Sequence, residues 1–482
     1  MNEFTTMDST QLTTRIGLEI HVQLNTKSKM FCGCSNDAED MKPNTILCPI
    51  CFGMPGTLPV PNREAVEKTV RIGLALNSKI AKFSKFDRKH YFYPDLPKGY
   101  QISQYDMPFC IGGESTVAGE TIRFNRVHLE EDAGKLLHLK GVNYSIVDLN
   151  RAGTPLAEMV TEPDITSPEM AREFLKELRD LLRSIGVSDA DMEKGQMRCD
   201  ANISITRNSK TSDQRLVTSN PAAMSVIVEI KNLNSFKFVE KALSYEEKRL
   251  TEDFENWPIK VTKVTRGFDS NSGKTYVLRE KEEAKDYRYF PEPDIPPIYL
   301  HEEFNIEEIK KSLPVLPAQI KEKLIEFGVN PDDTLVLLKD QKLLKSILEL
   351  IEKKPDRVAK ISKVILNLVS ARKLNIRQLI DLDETIETNQ VPSNIVRQIV
   401  DDISSEDQMP SNIYLGKFKN TGEGLSDILA MILKDNQDAV DKYKSGKTQV
   451  LGFLVGQVMK STQGKFDPNQ IRKEIIEKIN LA

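Results

Sequence analysis

Apolar and polar residues alternate in two stretches of the first 300 residues. The apolar positions are every second residue: Ile16, Leu18, Ile20, Val22 and Leu24, then Met197, Cys199, Ala201, Ile203 and Ile205. Successive side chains of a strand point to opposite faces, so each stretch predicts a strand with one buried face. Between them, Ser167 can cap a helix that has Pro168 at its first position and Gly186 at its end. This part of the chain is therefore predicted to be mixed α and β.

The pattern changes at residues 287–297, where four prolines fall within seven residues. Proline can continue neither a helix nor a central strand, so the first domain is predicted to end there. Beyond it, leucine, isoleucine and lysine recur at spacings of three and four residues, which predicts helices. Polar residues interrupt this second pattern at 404–411. We therefore predict an α+β protein, with a sheet-rich mixed α/β domain at 1–297, an all-α helical domain at 298–408 and a small helical tail domain at 409–482.

Charge is distributed unevenly along the 482 residues, whose formal net charge is -4. Residues 298–408 hold 16 Lys and Arg against 20 Asp and Glu, whereas residues 409–482 hold 11 against 8. A basic end on an acidic body permits contact with nucleic acid, although a solvated helical surface explains the same charges. The chain has no run of about 18 apolar residues, so no contact with a membrane interior is predicted. The polar N-terminus fits neither a secretory signal nor a transit peptide, and the expected compartment is the cytoplasm.

Four of the six cysteines lie within 20 residues. Cys32 and Cys34 form one close pair, and Cys48 and Cys51 form a second pair after thirteen intervening residues. Two such pairs joined by a loop can converge on one tetrahedral zinc ion, with free buried thiols as the alternative. Four thiolates leave no open position for water, which favours a structural zinc site over a catalytic one. We therefore predict a zinc-knuckle insertion at 32–51 in the first domain.

Charged side chains also share faces of the predicted strands. Glu19 and His21 lie on the polar face of the first strand, and Arg198 and Asp200 lie on that of the second. Three consecutive acids occupy 130–132. Acids that pack together repel one another, and a divalent cation such as Mg²⁺ would relieve that repulsion. Solvent exposure alone explains each of these groups equally well.

A basic and aromatic patch covers residues 86–100. Its Arg88 and Lys98 could clamp phosphate oxygens, and its rings could cover an adenine or the end of a tRNA, although a structural loop has the same composition. The segment closest to a phosphate-binding P-loop, at 267–275, has five residues between its glycines where the motif needs four. Any ATP site in this chain is therefore predicted to be an unorthodox one.

Taken in order along the chain, these segments resemble the B subunits of the tRNA-dependent amidotransferases, the GatB family. The agreement covers residues 16–22, 85–89, 91–95, 100–104, 130–135, 147–151, 153–156, 198–202, 231–235, 286–294 and 452–460. These motifs are long and keep the family's order over nearly the whole chain. The cysteine quartet is also a family feature, although some members lack it.

The resemblance implies a carbon–nitrogen ligase that acts on misacylated tRNA. Members of the family use ATP and Mg²⁺ to phosphorylate the side-chain carboxylate of Glu-tRNA(Gln) or Asp-tRNA(Asn), and ammonia then displaces the phosphate. The ammonia comes from glutamine that is hydrolysed in the partner GatA subunit, and the small GatC subunit completes a heterotrimer. The family's fold is a cradle domain, a helical domain and a tail similar to YqeY. The sequence leaves open which of the two tRNAs is used.

The resemblance also implies which residues bind Mg²⁺ and take part in catalysis, namely Glu19, His21, Glu131 and Asp200. One conflict arises within the acidic run. Strict alternation along the strand puts Glu130, rather than Glu131, on the polar face, unless a bulge shifts the register. Glu130 therefore remains an alternative Mg²⁺ ligand.

Further residues are expected to surround this site. Lys89 and Tyr91 are implied by the resemblance to line the pocket and the route of ammonia. Arg88, Lys98 and Arg198 are the cations expected to bind the phosphates of ATP.

Contact with tRNA is expected at the basic tail. The expected contacts to the phosphate backbone are Lys444, Lys447, Lys460 and Lys465. Exposed lysines without any partner are equally compatible with the sequence. A second hypothesis makes the chain a zinc-containing, tRNA-binding scaffold whose chemistry lies in a partner subunit. Polar residues that share faces on several strands favour the enzyme, because a protein that binds only the RNA backbone would carry lysines there.

Overall fold

The computed structural model describes residues 12–139, 141–207, 224–256, 263–280, 287–338, 340–405, 407–418, 425–462, 466 and 468–481. The chain forms two compact units, Met1–Pro317 and Ala318–Ala482. The strands lie in the first unit, whereas the described part of the second unit is built from helices. The predicted α+β class, with sheets first and helices after them, is confirmed.

The described strands are β1 (Leu12–Gln23), β2 (Lys79–Ile80), β3 (Asp87–His90), β4 (Tyr100–Ser103), β5 (Cys110–Ile111), β6 (Glu114–Val117), β7 (Glu120–Glu131), β8 (Lys135–His138), β9 (Ser145–Asp148), β10 (Pro155–Thr161), β11 (Met197–Arg207), β12 (Ile227–Leu233), β13 (Lys263–Asp269), β14 (Lys274–Glu280) and β15 (Phe290–Pro291). The helices that precede residue 317 are α1 (Arg63–Ala75), α2 (Pro168–Ser184), α3 (Phe236–Glu252), α4 (Leu300–Glu303) and α5 (Ile306–Lys311).

The helices that follow are α6 (Pro317–Glu326), α7 (Pro331–Leu338), α8 (Gln341–Lys353), α9 (Val358–Asn367), α10 (Ile376–Asn389), α11 (Ser393–Asp402), α12 (Pro410–Lys417), α13 (Leu425–Asp435), α14 (Gln437–Lys444), α15 (Val450–Ser461) and α16 (Pro468–Leu481). Short 3₁₀ helices cover Phe254–Asn256, Pro355–Arg357 and Val369–Lys373. None of the helices in the described ranges is long and apolar enough to cross a membrane.

The main sheet brings together strands that are distant in sequence. Its order is β14-β13-β12-β11-β1-β10-β7-β5-β2, with β6 also paired to β7. The two strands predicted from alternation, β1 and β11, are direct antiparallel neighbours. A small sheet of β15, β3 and β4 and a pair formed by β8 and β9 complete the described strands. The centre of the main sheet is therefore assembled from β11, β1, β10 and β7.

One face of the main sheet is buried under helices. Ile16, Leu18 and Ile20 of β1 are at most 1% exposed and belong to the same apolar core as residues of α1 and α2. Helix α2 begins as predicted, because the Ser167 side chain accepts a hydrogen bond from a backbone amide of the first turn and Pro168 follows it. Apolar burial on this face leaves the charged positions of β1 and β11 on the other face.

The boundary between the two units lies beyond the proline-rich segment. Leu300, Phe304 and Ile309 follow the prolines and are buried in the core of the first unit. The second unit contains two separate apolar cores, one between residues 320 and 413 and the other between residues 425 and 479. The division into three functional domains stays a prediction.

Candidate functional site

Strand register aligns histidines and acids across the polar face of the main sheet. His21 of β1 lies opposite Glu158 of β10, and Glu158 lies opposite His128 of β7. On its other side, β1 places His21 opposite Arg198 of β11. Because opposed residues of antiparallel strands point to the same face, these four side chains form one row across the sheet.

The middle of this row is a compact group that we call the His–Glu cluster. Its members are Glu19, His21, His128, Glu130 and Glu158. Glu158 Oε2 lies 3.2 Å from His21 Nε2 and 3.3 Å from His128 Nε2. Two groups of three ligand atoms result, Glu19–His21–Glu158 and His128–Glu130–Glu158, and Glu158 belongs to both. The cluster therefore depends on Glu158 more than on any other member.

The remaining contacts of the His–Glu cluster are slightly longer. His21 Nε2 lies 3.6 Å from Glu130 Oε1 and 3.8 Å from Glu19 Oε1, and His128 Nε2 lies 3.7 Å from Glu130 Oε2. The side chains of Glu130 and Glu158 are almost fully buried, whereas that of Glu19 is 34% exposed. Ions and substrates would therefore reach the cluster from the Glu19 side.

Burial and neighbouring charges shift the pKa of each of these groups in opposite directions. Burial lowers the pKa of His21 and of His128, but hydrogen bonds and charges from Glu158 and Glu130 outweigh it and raise the pKa of each to about 9. For Glu130 and Glu158, burial acts to raise the pKa, and the neighbouring histidines lower it below the usual value. The carboxylates are thus anionic, and two protonated imidazoles balance them.

A divalent cation could balance the carboxylates in place of the proton on His21. Glu19, His21 and Glu158 offer two carboxylate oxygens and one imidazole nitrogen within 4.8 Å of one another. Magnesium and manganese prefer such oxygen-rich sets and keep water or phosphate in their other positions. Cation binding to deprotonated ligands releases protons, so charge balance would be kept. The residues present therefore fit Mg²⁺.

The predicted pocket residues Lys89 and Tyr91 lie beside the His–Glu cluster. Burial lowers the pKa of Lys89, but the charges of Glu130 and Glu158 outweigh it and raise the pKa. The Lys89 ammonium also lies 5.0 Å from the ring centre of Tyr287 and 5.9 Å from that of Tyr91. A cation that sits among aromatic rings and next to carboxylates is held in a fixed position.

The two adjacent acids of β7 have different surroundings. Glu130 lies opposite Leu156 and Glu131 lies opposite Pro155 in unbroken register, so no bulge intervenes here. Glu130 joins the His–Glu cluster. The Glu131 carboxylate instead accepts hydrogen bonds from Lys98 and from the backbone amide of Ile102, the latter at 2.9 Å. The geometry therefore brings Glu130, and not Glu131, to the ligand set.

The three predicted phosphate-binding cations all have carboxylate partners, and Arg88 and Lys98 are the more buried of them. Arg88 donates to both carboxylate oxygens of Glu292, each at 2.7 Å, and Lys98 is paired with Glu131. This bidentate bond and the pairing of β15 with β3 fasten the proline-rich segment beside the small sheet. The structure therefore gives Arg88 and Lys98 partners within the chain.

Arg198 and Asp200 border the cluster on β11. Arg198 lies 2.7 Å from the buried Asp132, and its side chain is 40% exposed. Asp200 lies opposite Glu19, and its carboxylate is 3.9 Å from the Lys231 ammonium. Burial raises the pKa of Asp200. Asp200 is thus close to the cluster without being a member of either group of three ligands.

Sequence reasoning missed His128 and Glu158. The signal for His128 was available, since it is two residues from Glu130 on the same strand and so shares its face. Glu158 is the lone acid in the otherwise apolar stretch of β10, which offers a weaker signal. Only the pairing of β10 with both β1 and β7 shows that Glu158 joins their histidines.

The four predicted zinc ligands converge in one group, which we call the thiolate cluster (Cys32, Cys34, Cys48 and Cys51). All four sulfurs lie within 4.8 Å of one another. Cys51 Sγ is 3.8 Å from Cys48 Sγ and 4.0 Å from Cys34 Sγ. Sulfurs bound tetrahedrally at about 2.3 Å from one ion lie about 3.8 Å apart, so the spacing fits zinc.

Three of the four predicted tRNA-contacting lysines lie in the described part of the helical tail. Lys444 ends α14, Lys447 follows it in a loop, and Lys460 lies in the last turn of α15. All three are exposed. Lys465 lies outside the described residues.

Comparison with known proteins shows which family the chain belongs to. A family profile of the GatB/GatE catalytic domain matches residues 14–306, and a profile of the GatB domain matches residues 366–479. The chain is 42% identical to the B subunit of the aspartyl/glutamyl-tRNA(Asn/Gln) amidotransferase of Thermotoga maritima, over 96% of this chain and 98% of the relative. It is 44% identical to the B subunits of the same amidotransferase from Thermosipho melanesiensis and Thermodesulfovibrio yellowstonii, with the same coverage. The chain belongs to the GatB/GatE family.

Proposed function

We propose that this chain is the B subunit of an aspartyl/glutamyl-tRNA(Asn/Gln) amidotransferase and that the His–Glu cluster is its phosphorylation site. The observation that carries the proposal is the row of His128, Glu158 and His21 across three strands, with Glu158 about 3.2 Å from both imidazoles. The apolar core on the opposite face already stabilises this sheet, so folding does not require a buried polar group here. It is suited to hold a cation against phosphate oxygens.

The reaction we propose has two steps. A side-chain carboxylate oxygen of Glu-tRNA(Gln) or Asp-tRNA(Asn) attacks the γ-phosphorus of ATP, and the bond to ADP breaks. Ammonia then attacks the acyl carbon, the bond to the phosphate oxygen breaks, and phosphate leaves with the amide formed. Phosphoryl transfer needs little covalent help from the protein, because positioning and charge neutralisation lower most of the barrier.

Each part of the site has a role in this scheme. Bound Mg²⁺ would supply positive charge next to the phosphates, held by Glu19, His21 and Glu158 with Glu130 beside them. We assign the ligand role to Glu130 rather than Glu131, because the Glu131 carboxylate is occupied by Lys98. Magnesium and ATP are thus the cofactor and co-substrate of the proposed reaction.

Cationic side chains would orient the substrates. Lys89 is fixed between the acids and the rings of Tyr91 and Tyr287, where it can stabilise negative charge on the transferred phosphoryl group. Arg198 is the predicted phosphate-binding cation that remains partly exposed, and we assign it to the phosphates of ATP. We assign Arg88 and Lys98 to holding the walls of the site. Asp200 borders the pocket next to Glu19.

Partners complete the reaction we propose. Glutamine would be the amide-nitrogen donor, hydrolysed in a GatA amidase subunit, with GatC as the third member of a cytoplasmic heterotrimer. The thiolate cluster would hold structural Zn²⁺. The helical tail would contact tRNA, with the exposed Lys444, Lys447 and Lys460 as its phosphate contacts. The names of the relatives, which specify a subunit and two aminoacyl-tRNAs, support this assignment.

A trapping experiment tests the proposal. The complex is reconstituted with its partner subunits and given ATP, Mg²⁺ and Glu-tRNA(Gln) or Asp-tRNA(Asn), with ammonium chloride in place of glutamine. We expect ADP and amidated tRNA, and with hydroxylamine instead of ammonium we expect the hydroxamate of the tRNA-bound amino acid. Uncharged tRNA serves as the control and should give neither product.

The same assay separates the enzyme from the scaffold hypothesis. If substitutions in the His–Glu cluster left hydroxamate formation at its full rate, the chemistry would lie in a partner subunit. Amidation that proceeds without ATP would likewise contradict an acyl-phosphate route.

A further inference from the structure

Lys29 is a lysine buried in the wall of the thiolate cluster. Its side chain is 1% exposed, which makes it one of the largest fully buried side chains of the described chain. The ammonium nitrogen lies 2.9 Å from the backbone oxygen of Ile46 and 3.8 Å from Cys51 Sγ. The backbone amide of Lys29 donates to the carbonyl of Cys34 at 2.9 Å. Both ends of this residue therefore touch the loop that carries the four cysteines.

A buried ammonium group needs a negative partner. Removing such a charge from water is unfavourable unless an opposite charge or hydrogen bonds compensate for the lost hydration. The partners that the structure gives the Lys29 ammonium are the Ile46 carbonyl, which carries no net charge, and Cys51 Sγ. The group that can supply the negative charge is the sulfur of Cys51.

Cys51 is the member of the thiolate cluster that most needs such a donor. It is buried at 6% exposure, whereas the other three cysteines are partly exposed and can be hydrated. Its sulfur also accepts a hydrogen bond from the Cys48 backbone amide at 3.2 Å. Gly153 packs against both side chains. A Cβ at this position would lie in van der Waals contact, 3.6 Å from both the Cys51 Cβ and the Lys29 Cδ. Lys29 and Cys51, at 1% and 6% exposure, therefore meet where little solvent reaches them.

The net charge of the metal-bound thiolate cluster explains why the Lys29 ammonium lies beside it. Four thiolates and one divalent ion carry a net charge of about −2, which is unfavourable in a poorly hydrated site. One ammonium group halves that charge. Thiolates that bind a metal also gain from hydrogen bonds that fix their orientation, as other metal ligands do.

We propose that Lys29 is a positioning residue of the thiolate cluster, which stabilises the bound metal by donating a hydrogen bond to Cys51 and by cancelling one of the cluster's negative charges. This inference rests on the proposed metal site at these cysteines. It extends that site from four residues to five, and the fifth lies outside the cysteine motif.

Cobalt titration of the full chain tests the proposal. Co²⁺ bound to thiolates absorbs by sulfur-to-metal charge transfer, so the affinity can be measured by competition with a chelator. We expect Lys29→Met to bind Co²⁺ about 10- to 100-fold more weakly than the wild type, the usual cost of losing a group that supports a metal ligand. Lys27→Met is the matched control, because Lys27 is exposed two residues away, and its affinity should equal that of the wild type.

The outcomes separate this inference from the site on which it rests. If the wild type showed no charge-transfer absorption with Co²⁺, the thiolate metal site itself would be wrong. If the wild type bound Co²⁺ and Lys29→Met bound it equally well, only the role of Lys29 would be overturned. Circular dichroism with saturating Co²⁺ checks that each variant is folded.

A second variant distinguishes charge from hydrogen bonding. Lys29→Gln keeps a donor group but removes the charge, so we expect its affinity to lie between those of Lys29→Met and the wild type. An affinity equal to that of the wild type would overturn the charge argument. The glutamine variant also provides the measurement if the methionine variant does not fold.

Discussion

Two groups of metal-binding side chains in the first unit are built in opposite ways. The thiolate cluster comes from a single loop at residues 32–51, and its four sulfurs meet because two tight turns bring close cysteine pairs together. The His–Glu cluster comes from β1, β7 and β10, and its members meet only when the strands pair in the correct register. The first is a local structure, and the second is a product of the whole sheet.

This difference bears on what each cluster can do. Four thiolates saturate a tetrahedral ion, so the loop gains stability and offers no open position. The His–Glu cluster has fewer, harder ligands and one partly exposed acid, Glu19, so a bound cation would keep positions for phosphate or water. A rigid sheet with an apolar core beneath it also holds its ligands more accurately than a loop does. We therefore expect substitutions in the two clusters to have separable effects.

Glu158→Gln should have the largest effect on activity. Glu158 belongs to both groups of three ligands, and an amide cannot replace its charge next to two imidazoles. We expect ammonium-dependent amidation by the reconstituted complex to fall about 100- to 1,000-fold, the usual cost of losing one preorganised electrostatic contact. Glu120→Gln, at the exposed far end of β7, is the control. Equal rates for the two variants would show that Glu158 is not part of the active site.

Cys48→Ser should disrupt the thiolate cluster and leave the His–Glu cluster intact. Loss of one of four thiolates should weaken zinc binding by more than the roughly 10- to 100-fold caused by changes outside the ligand set. We expect a lower zinc content by mass spectrometry of metals and a lower thermal midpoint. Cys199→Ala, a buried cysteine of β11, is the control and should retain zinc. A larger loss of amidation by folded Cys48→Ser than by Glu158→Gln would break the separation between the clusters.

The predictability of each cluster follows from how it is built. Spacing alone identifies the thiolate cluster, and alternation alone identifies β1, β11 and the polar face that carries Glu19, His21 and Asp200. Spacing cannot show that β10 lies between β1 and β7, so the position of Glu158 was not predictable. In the same way, the sequence gives no sign that Arg88 pairs with Glu292, which is 204 residues away. Local sequence patterns show which face of a strand a residue occupies. Only the pairing of strands shows which residues of other strands lie beside it.

The adjacent acids Glu130 and Glu131 should differ in what their substitution changes. We expect Glu130→Gln to weaken Mn²⁺ binding about 10- to 100-fold, because Glu130 contacts both histidines. Glu131→Gln should leave Mn²⁺ affinity unchanged and reduce stability by about 1–3 kcal/mol, since Lys98 would lose its partner. Calorimetric titration and chemical unfolding measure the two quantities. The reverse pattern would return the ligand role to Glu131.

The pH dependence of the metal-free protein should report the charge state of the two histidines in the His–Glu cluster. His21 and His128 have folded-state pKa values of about 9, above the ordinary 6.5, so their protonation stabilises the fold. That stabilisation is fully present below about pH 6.5 and is lost as the pH rises through about 9. A pKa raised from 6.5 to about 9 corresponds to about 3 kcal/mol for each histidine, so we expect a fall of about 3–7 kcal/mol in the free energy of unfolding over this range with a chelator present. His128→Asn should flatten the profile, and an identical profile in that variant would contradict the assigned charge state.

Anomalous diffraction from crystals of the complex soaked in Mn²⁺ would show whether the His–Glu cluster binds a divalent cation. A peak within bonding distance of His21 Nε2 and the Glu158 carboxylate is the expected result, because those atoms already face one another across β1 and β10. A peak at Glu131 or Asp200 without His21, or no peak on the polar face of the sheet, would contradict the proposed cation site.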